Sequence, residues 1–118
     1  MTIYITQGRY TAEAVEGMAA NPENREKAIA DLMAKAGGKL HALYFTFGDH
    51  DFLSISEAPN EEAMAAALIA GAASGGITGL KTSVAIPAKD AVKAFKLAGP
   101  LAKSFKPPGA ASGASHHK

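Results

Sequence analysis

The sequence has no cysteine, which excludes disulfide staples, thiolate nucleophiles and zinc–thiolate centres together. Charge is also sparse: 19% of the 118 residues are charged and the formal net charge is +1. Long apolar runs are missing. The longest weakly polar stretch, Ala63 to Ala73, is mostly alanine and too short to span a bilayer. The start, Met1-Thr2-Ile3-Tyr4-Ile5, lacks the basic residues and apolar core of a secretory leader. These shortages lead to the expectation of a cytoplasmic protein with no membrane partner.

What is present fits one small globular domain, with 47% hydrophobic residues and enough chain for a single modest core. The charge is unevenly spread. Residues 1–86 hold six Lys or Arg against ten Asp or Glu, whereas residues 87–118 hold six lysines against Asp90 alone. Those lysines are spaced singly and have no interleaved aromatics of the kind that nucleic-acid binding favours. They read as a solvated helix face and tail, so nucleic acid is not an expected partner.

The element signals follow one another clearly. Met1 to Gly8 reads as a strand, and Thr11 as the N-cap of a short helix through Met18. Asn21-Pro22-Glu23 is a second helix start, after which Ile29, Leu32, Met33 and Ala36 form one apolar stripe, ended by Gly37-Gly38. Lys39 to Phe47 and Phe52 to Ala58 read as strands joined by a hairpin at Gly48-Asp49-His50. Pro59-Asn60-Glu61-Glu62 opens a helix with Met64, Ala67, Leu68 and Gly71 inward, and Ile77 to Ile86 is a fourth strand. A last helix is expected from Ala88 to Ala98, with Val92 and Phe95 inward and Gly99-Pro100 as its stop; at most one further turn follows over Leu101 to Phe105. The domain is drawn at residues 1–105, with a disordered tail over 106–118 that includes His116 and His117.

The order of elements is the split βαβ arrangement, an α+β fold in which a four-stranded antiparallel sheet carries its helices on one face. Alternation places Ile5, Leu43, Phe45, Leu53 and Ile55 together, and these are expected under the helices. The bare face is then expected to show Tyr4, Thr6, Tyr44, Thr46, Ser54 and Ser56. A face mixing phenols and hydroxyls suits a second subunit around a small-molecule pocket, with Arg9 available for an anionic group.

Short motifs in order carry a resemblance: Tyr4-Ile5-Thr6-Gln7-Gly8-Arg9-Tyr10-Thr11, Gly37-Gly38-Lys39-Leu40, Tyr44, Gly48-x-His50-Asp51 and Glu57-Ala58-Pro59. Over roughly residues 2–98 the chain resembles the bacterial GYD-domain family, named for a Gly-(x)-Tyr-Asp motif in the central hairpin. The resemblance implies a ferredoxin-like fold of the type that pairs into dimeric α+β barrels, and it implies no particular activity. His50 stands where the family's tyrosine would be.

Two chemical readings remain. Asp49, His50 and Asp51 form the densest polar cluster, able in principle to serve as a general base and its partners, although Asp in a tight turn is also ordinary turn chemistry. His41 falls opposite Glu57 if Phe47 pairs with Asp51, a cross-strand contact that reads as a strand-end ion pair, with a catalytic dyad as the alternative. No metal-spacing motif appears, so neither metal nor cofactor is expected. The reading is a homo-oligomer assembled through the open sheet face that binds a small organic ligand. A cofactor-free enzyme lies within that reading, and a non-enzymatic assembly module is the alternative.

Overall fold

The computed structural model of the chain describes residues 1–109, so His116 and His117 and most of the expected tail lie outside the described residues. The chain divides into two compact units, Met1–Ala85 and Ile86–Lys118. The first contains strand β1 (Thr2–Tyr10), helices α1 (Ala12–Ala20) and α2 (Glu26–Lys35), strands β2 (Lys39–Phe45) and β3 (Phe52–Ala58), helix α3 (Glu61–Ala73) and strand β4 (Ile77–Ala85). The second contains helix α4 (Ala88–Ser104). The sheet is antiparallel with strand order β2-β3-β1-β4, the ferredoxin-like arrangement.

Local chemistry sets the boundaries. Thr11 caps α1 by accepting from the Ala14 N–H, and Asn60 caps α3 by accepting from the Ala63 N–H. Helix α2 begins at Glu26 rather than at the expected Asn21-Pro22-Glu23: the start lies four residues later, where Asn24 Oδ1 takes the Glu26 N–H. Its end is a Schellman motif: Gly38 N–H donates to Met33 O at 2.8 Å and Gly37 N–H to Ala34 O at 3.0 Å, with Gly37 at φ +85°. Gly38 has a second constraint, since a Cβ there would collide with the Glu57 carbonyl oxygen.

The core lies between the sheet and the helices α2 and α3. Tyr4, Met33, Ala58, Met64 and Ala67 are buried together, with Leu32, Ala36, Leu40 and Leu68 packed against them. The apolar stripes expected on α2 and α3 are therefore the ones that face the sheet.

The assignment of sheet faces is corrected. Tyr4, Thr6, Ser54 and Ser56, expected on the bare side, are all buried beneath the helices. Ile3, Ile5, Leu53 and Ile55 alternate to the opposite side and remain partly exposed. Register is one physical reason. The expected hairpin pairs Phe47 with Asp51; in the structure Phe45 pairs with Phe52 and Leu43 with Ser54. A one-residue slip moves a strand's whole side-chain set to the other face, so Leu43 sides with the serines and Tyr44 with Leu53. A bulge between Leu40 and Ala42 shifts the register again.

The last helix is corrected as well. Helix α4 runs unbroken through Gly99-Pro100. A proline loses its hydrogen bond to the carbonyl four residues back and clashes with it, and it also crowds the Cβ of the residue before it. Here that residue is glycine and has no Cβ, so the last of these penalties is absent. Val92 and Phe95, expected inward, are exposed.

Candidate functional site

Beneath α2 and α3 the core leaves a cavity of about 60 Å³. Its floor is the sheet, where Thr6, Ser54 and Ser56 place three hydroxyls on neighbouring strands β1 and β3. Its walls are apolar: Leu32 and Met33 come from α2, and Met64, Ala67 and Leu68 from α3. Phe52 and Leu80 close the end nearest Gly8, where a Cβ would sit 2.6 Å from the Phe52 ring and 2.9 Å from Leu80. Glycine is thus required there so that these two side chains can meet across the strand.

The hydroxyls differ in their partners. Thr6 Oγ1 shares a hydrogen bond with Thr82 Oγ1 at 3.0 Å. Ser56 Oγ, in a residue only 2% exposed, has no partner, and neither does the buried Tyr4 OH in the adjoining core. An unpaired buried hydroxyl costs about 1–3 kcal/mol. A cavity of this size has room for about two waters or one very small organic group. No lining side chain titrates, so the cavity offers hydrogen bonds and apolar contact but no general acid or base.

The hairpin cluster is tied up in structure. Arg9 Nε donates to Asp49 O at 2.8 Å, and Asp51 Oδ2 accepts the Tyr10 N–H at 2.9 Å. Asp51 N–H donates to Gly8 O and Thr46 N–H to Asp51 O, each at 2.8 Å, and Thr46 Oγ1 donates to His50 O at 2.8 Å. Asp51 thus pins the hairpin to β1, and Arg9 and Thr46 brace it. Among the described residues His50 makes no side-chain hydrogen bond or ion pair, and no group of three metal-ligating residues forms.

His41 and Glu57 do meet, with Nε2 and Oε2 2.8 Å apart. They meet although the register differs from the expected one, because His41 is the bulged residue of β2. The pair is partly exposed on the sheet face away from the helices, and neither side chain lines the cavity. Tyr44 is on that same face and is 57% exposed. Of the seven residues expected to bind ligand, Thr6, Ser54 and Ser56 converge on the cavity. Tyr4 is in the core beside it, and Arg9, Thr46 and Tyr44 are elsewhere. The methionines were legible as core stripes but not as cavity walls, and Phe52 was read only as the start of its strand.

A surface groove of about 330 Å³ lies where α1 and the start of α2 approach the α3–β4 turn, with Tyr10 and Arg25 in its lining. Burial pushes the Tyr10 phenol above its ordinary value of 10.0; Arg25 offsets part of that rise and Asp51 adds to it. The phenol there is a hydrogen-bond donor at neutral pH.

Comparison with known proteins gives a family through one match. The model of the GYD domain matches residues 4–95. No curated protein matches the chain. Among solved structures, the chain is similar to TTHA0845 from Thermus thermophilus, with 17% identity, a TM-score of 0.48, and 75% of this chain and 96% of that one covered. It is also similar to FFRP-DM1, with 16% identity, a TM-score of 0.46, and 73% of this chain and 100% of that one covered.

Proposed function

The chain belongs to the GYD-domain family, and from that premise we propose that it is a small-molecule-binding protein. Its ligand is compact, uncharged and largely apolar, and is held between the sheet and helices α2 and α3. The observation that carries this reading is Ser56 Oγ, a buried hydroxyl without a partner on the floor of a cavity with apolar walls. A ligand with one hydrogen-bonding atom would satisfy that hydroxyl while its carbon skeleton contacts Met33, Met64 and Leu68. A charged ligand would lose its hydration with no opposite charge to meet it, a cost such a site does not offset. With no titrating side chain in the lining, the reading is binding rather than acid–base catalysis.

Assembly with a second copy is the other half of the proposal. Ile3, Ile5, Leu53, Ile55 and Tyr44 share the sheet face that no helix of the first unit covers, and a contiguous apolar face of that kind is the usual mark of an interaction surface. Pairing of two such faces would also sequester the His41–Glu57 pair.

The test is a panel of small neutral alcohols, ketones and phenols, followed by melting temperature and by the methyl NMR signals of the methionines. Neutral probes are expected to raise the melting temperature and move Met33 and Met64. Charged analogues acting equally well, or no neutral probe acting at all, would remove the reading.

A further inference from the structure

Helix α4 is an exposed amphipathic helix with a basic stripe. Over its 17 residues, Lys89, Lys93, Lys96 and Lys103 recur at i, i+4, i+7 and i+14, which places them in one narrow arc. Pro100 and Ser104 lie in that same arc, so the helix-breaking residue falls on the polar side. The opposite side is apolar apart from Asp90, and its centre line is Ala91, Ala94, Ala98 and Ala102. Val92 and Phe95 flank that line on one side, and Leu97, Leu101 and Phe105 at i, i+4 and i+8 flank it on the other. All five are open to solvent, Phe95 at 76%, Leu101 at 67% and Phe105 at 75%. Such a helix is not stable in water for its own sake, and its apolar side needs a covering surface.

We propose that this surface is an anionic membrane, on which α4 lies flat with Phe95, Leu101 and Phe105 buried among the acyl chains and the lysines at the headgroups. Three observations select this occupant. The helix carries Lys89, Lys93, Lys96 and Lys103 against Asp90 alone, while residues 1–86 are acidic by four; positive charge is concentrated where the apolar side is, which suits a negatively charged lipid surface. No helix among the described residues is long and apolar enough to cross a membrane, so α4 would lie on the surface and not through it. The basic residues are all lysines, with flexible stems that keep the ammonium at the interface while the helix sinks. The sequence expectation of no membrane partner rests on the lack of a spanning run, and it takes the lysines as a solvated face of a helix stopped at Gly99-Pro100. With the helix unbroken, Leu101 and Phe105 join Phe95 in bracketing the face opposite the lysines. This inference is independent of the ligand cavity.

The test uses the full chain in vesicle co-sedimentation, with phosphatidylcholine alone and with phosphatidylcholine containing phosphatidylglycerol. Binding is expected to the anionic vesicles only and to weaken with added salt. Replacing lysines by glutamine one after another (Lys89, Lys93, Lys96, Lys103) should weaken it about fivefold per residue. Phe95→Asp with Leu101→Asp should abolish it, with the fold unchanged by circular dichroism. Three results would overturn the proposal: no binding to anionic vesicles at low salt, equal binding to neutral ones, or a double-aspartate variant that still binds. A fourth is a fall in solution mass of that variant without vesicles, which would assign the apolar side to a second copy of the chain. Lysine variants that bind as tightly as the parent would also refute it.

Discussion

The two faces of the sheet are built the opposite way round from the usual pattern. The face under the helices carries Tyr4, Thr6, Ser54 and Ser56, all buried. The face with no helix of its own unit carries Ile3, Ile5, Leu53 and Ile55. Hydroxyls inside are tolerated when they pair, as Thr6 does with Thr82, or when something else fills the space beside them. Isoleucines outside are tolerated when another surface covers them. The contrast teaches that hydrophobicity alone does not say which side of a sheet is the interior. The stripes on the helices decide it.

That contrast can be broken most severely on the covered side. Met33→Ala should cost about 2–5 kcal/mol, the range for truncating a buried long side chain, and chemical denaturation would measure it. An unchanged midpoint would mean that α2 does not seal this face. On the outer face the readout is assembly rather than stability. Ile55→Lys should leave the melting temperature of the protomer nearly unchanged and lower the mass found by light scattering to that of one chain.

Smaller effects sharpen the picture. Asp51→Ala removes the acceptor for the Tyr10 N–H and should destabilise by about 1–3 kcal/mol, whereas His50→Ala should fall within about 0.5 kcal/mol of the parent. Equal losses for the two would return His50 to consideration as a functional group. The smallest effect is at high pH. The folded phenol of Tyr10 titrates above its ordinary value of 10.0. Its contribution is therefore intact below the unfolded pKa and is lost as pH rises through the folded one. Melting curves should decline across that alkaline range, and Tyr10→Phe should flatten the decline.

Much of this fold was legible in the sequence, because the signals are local. Thr11 and Asn60 cap their helices, Gly37-Gly38 ends α2, and the stripes of α2 and α3 follow the helical period. The faces were not legible, because they depend on a register that slips by one residue at the hairpin and again at His41, and on which side the helices choose. Helix α4 was half legible: Gly99 removes one of the clashes by which proline ends a helix, an effect of the pair and not of either residue. The site was partly legible. Thr6, Ser54 and Ser56 were grouped correctly by alternation, but Tyr44 and Thr46 were carried with them by the wrong register. Asp51 was legible as a turn residue. The cavity itself was not, since its walls read only as core.

The most direct test of the central claim is Ser56→Ala, measured with and without the best neutral probe. Removing an unpaired buried hydroxyl should leave the empty protein as stable as before, or more stable by up to about 1 kcal/mol, while the probe binds about five- to tenfold more weakly. A variant that is clearly destabilised yet binds the probe undiminished would show that Ser56 serves the core and that the ligand sits elsewhere.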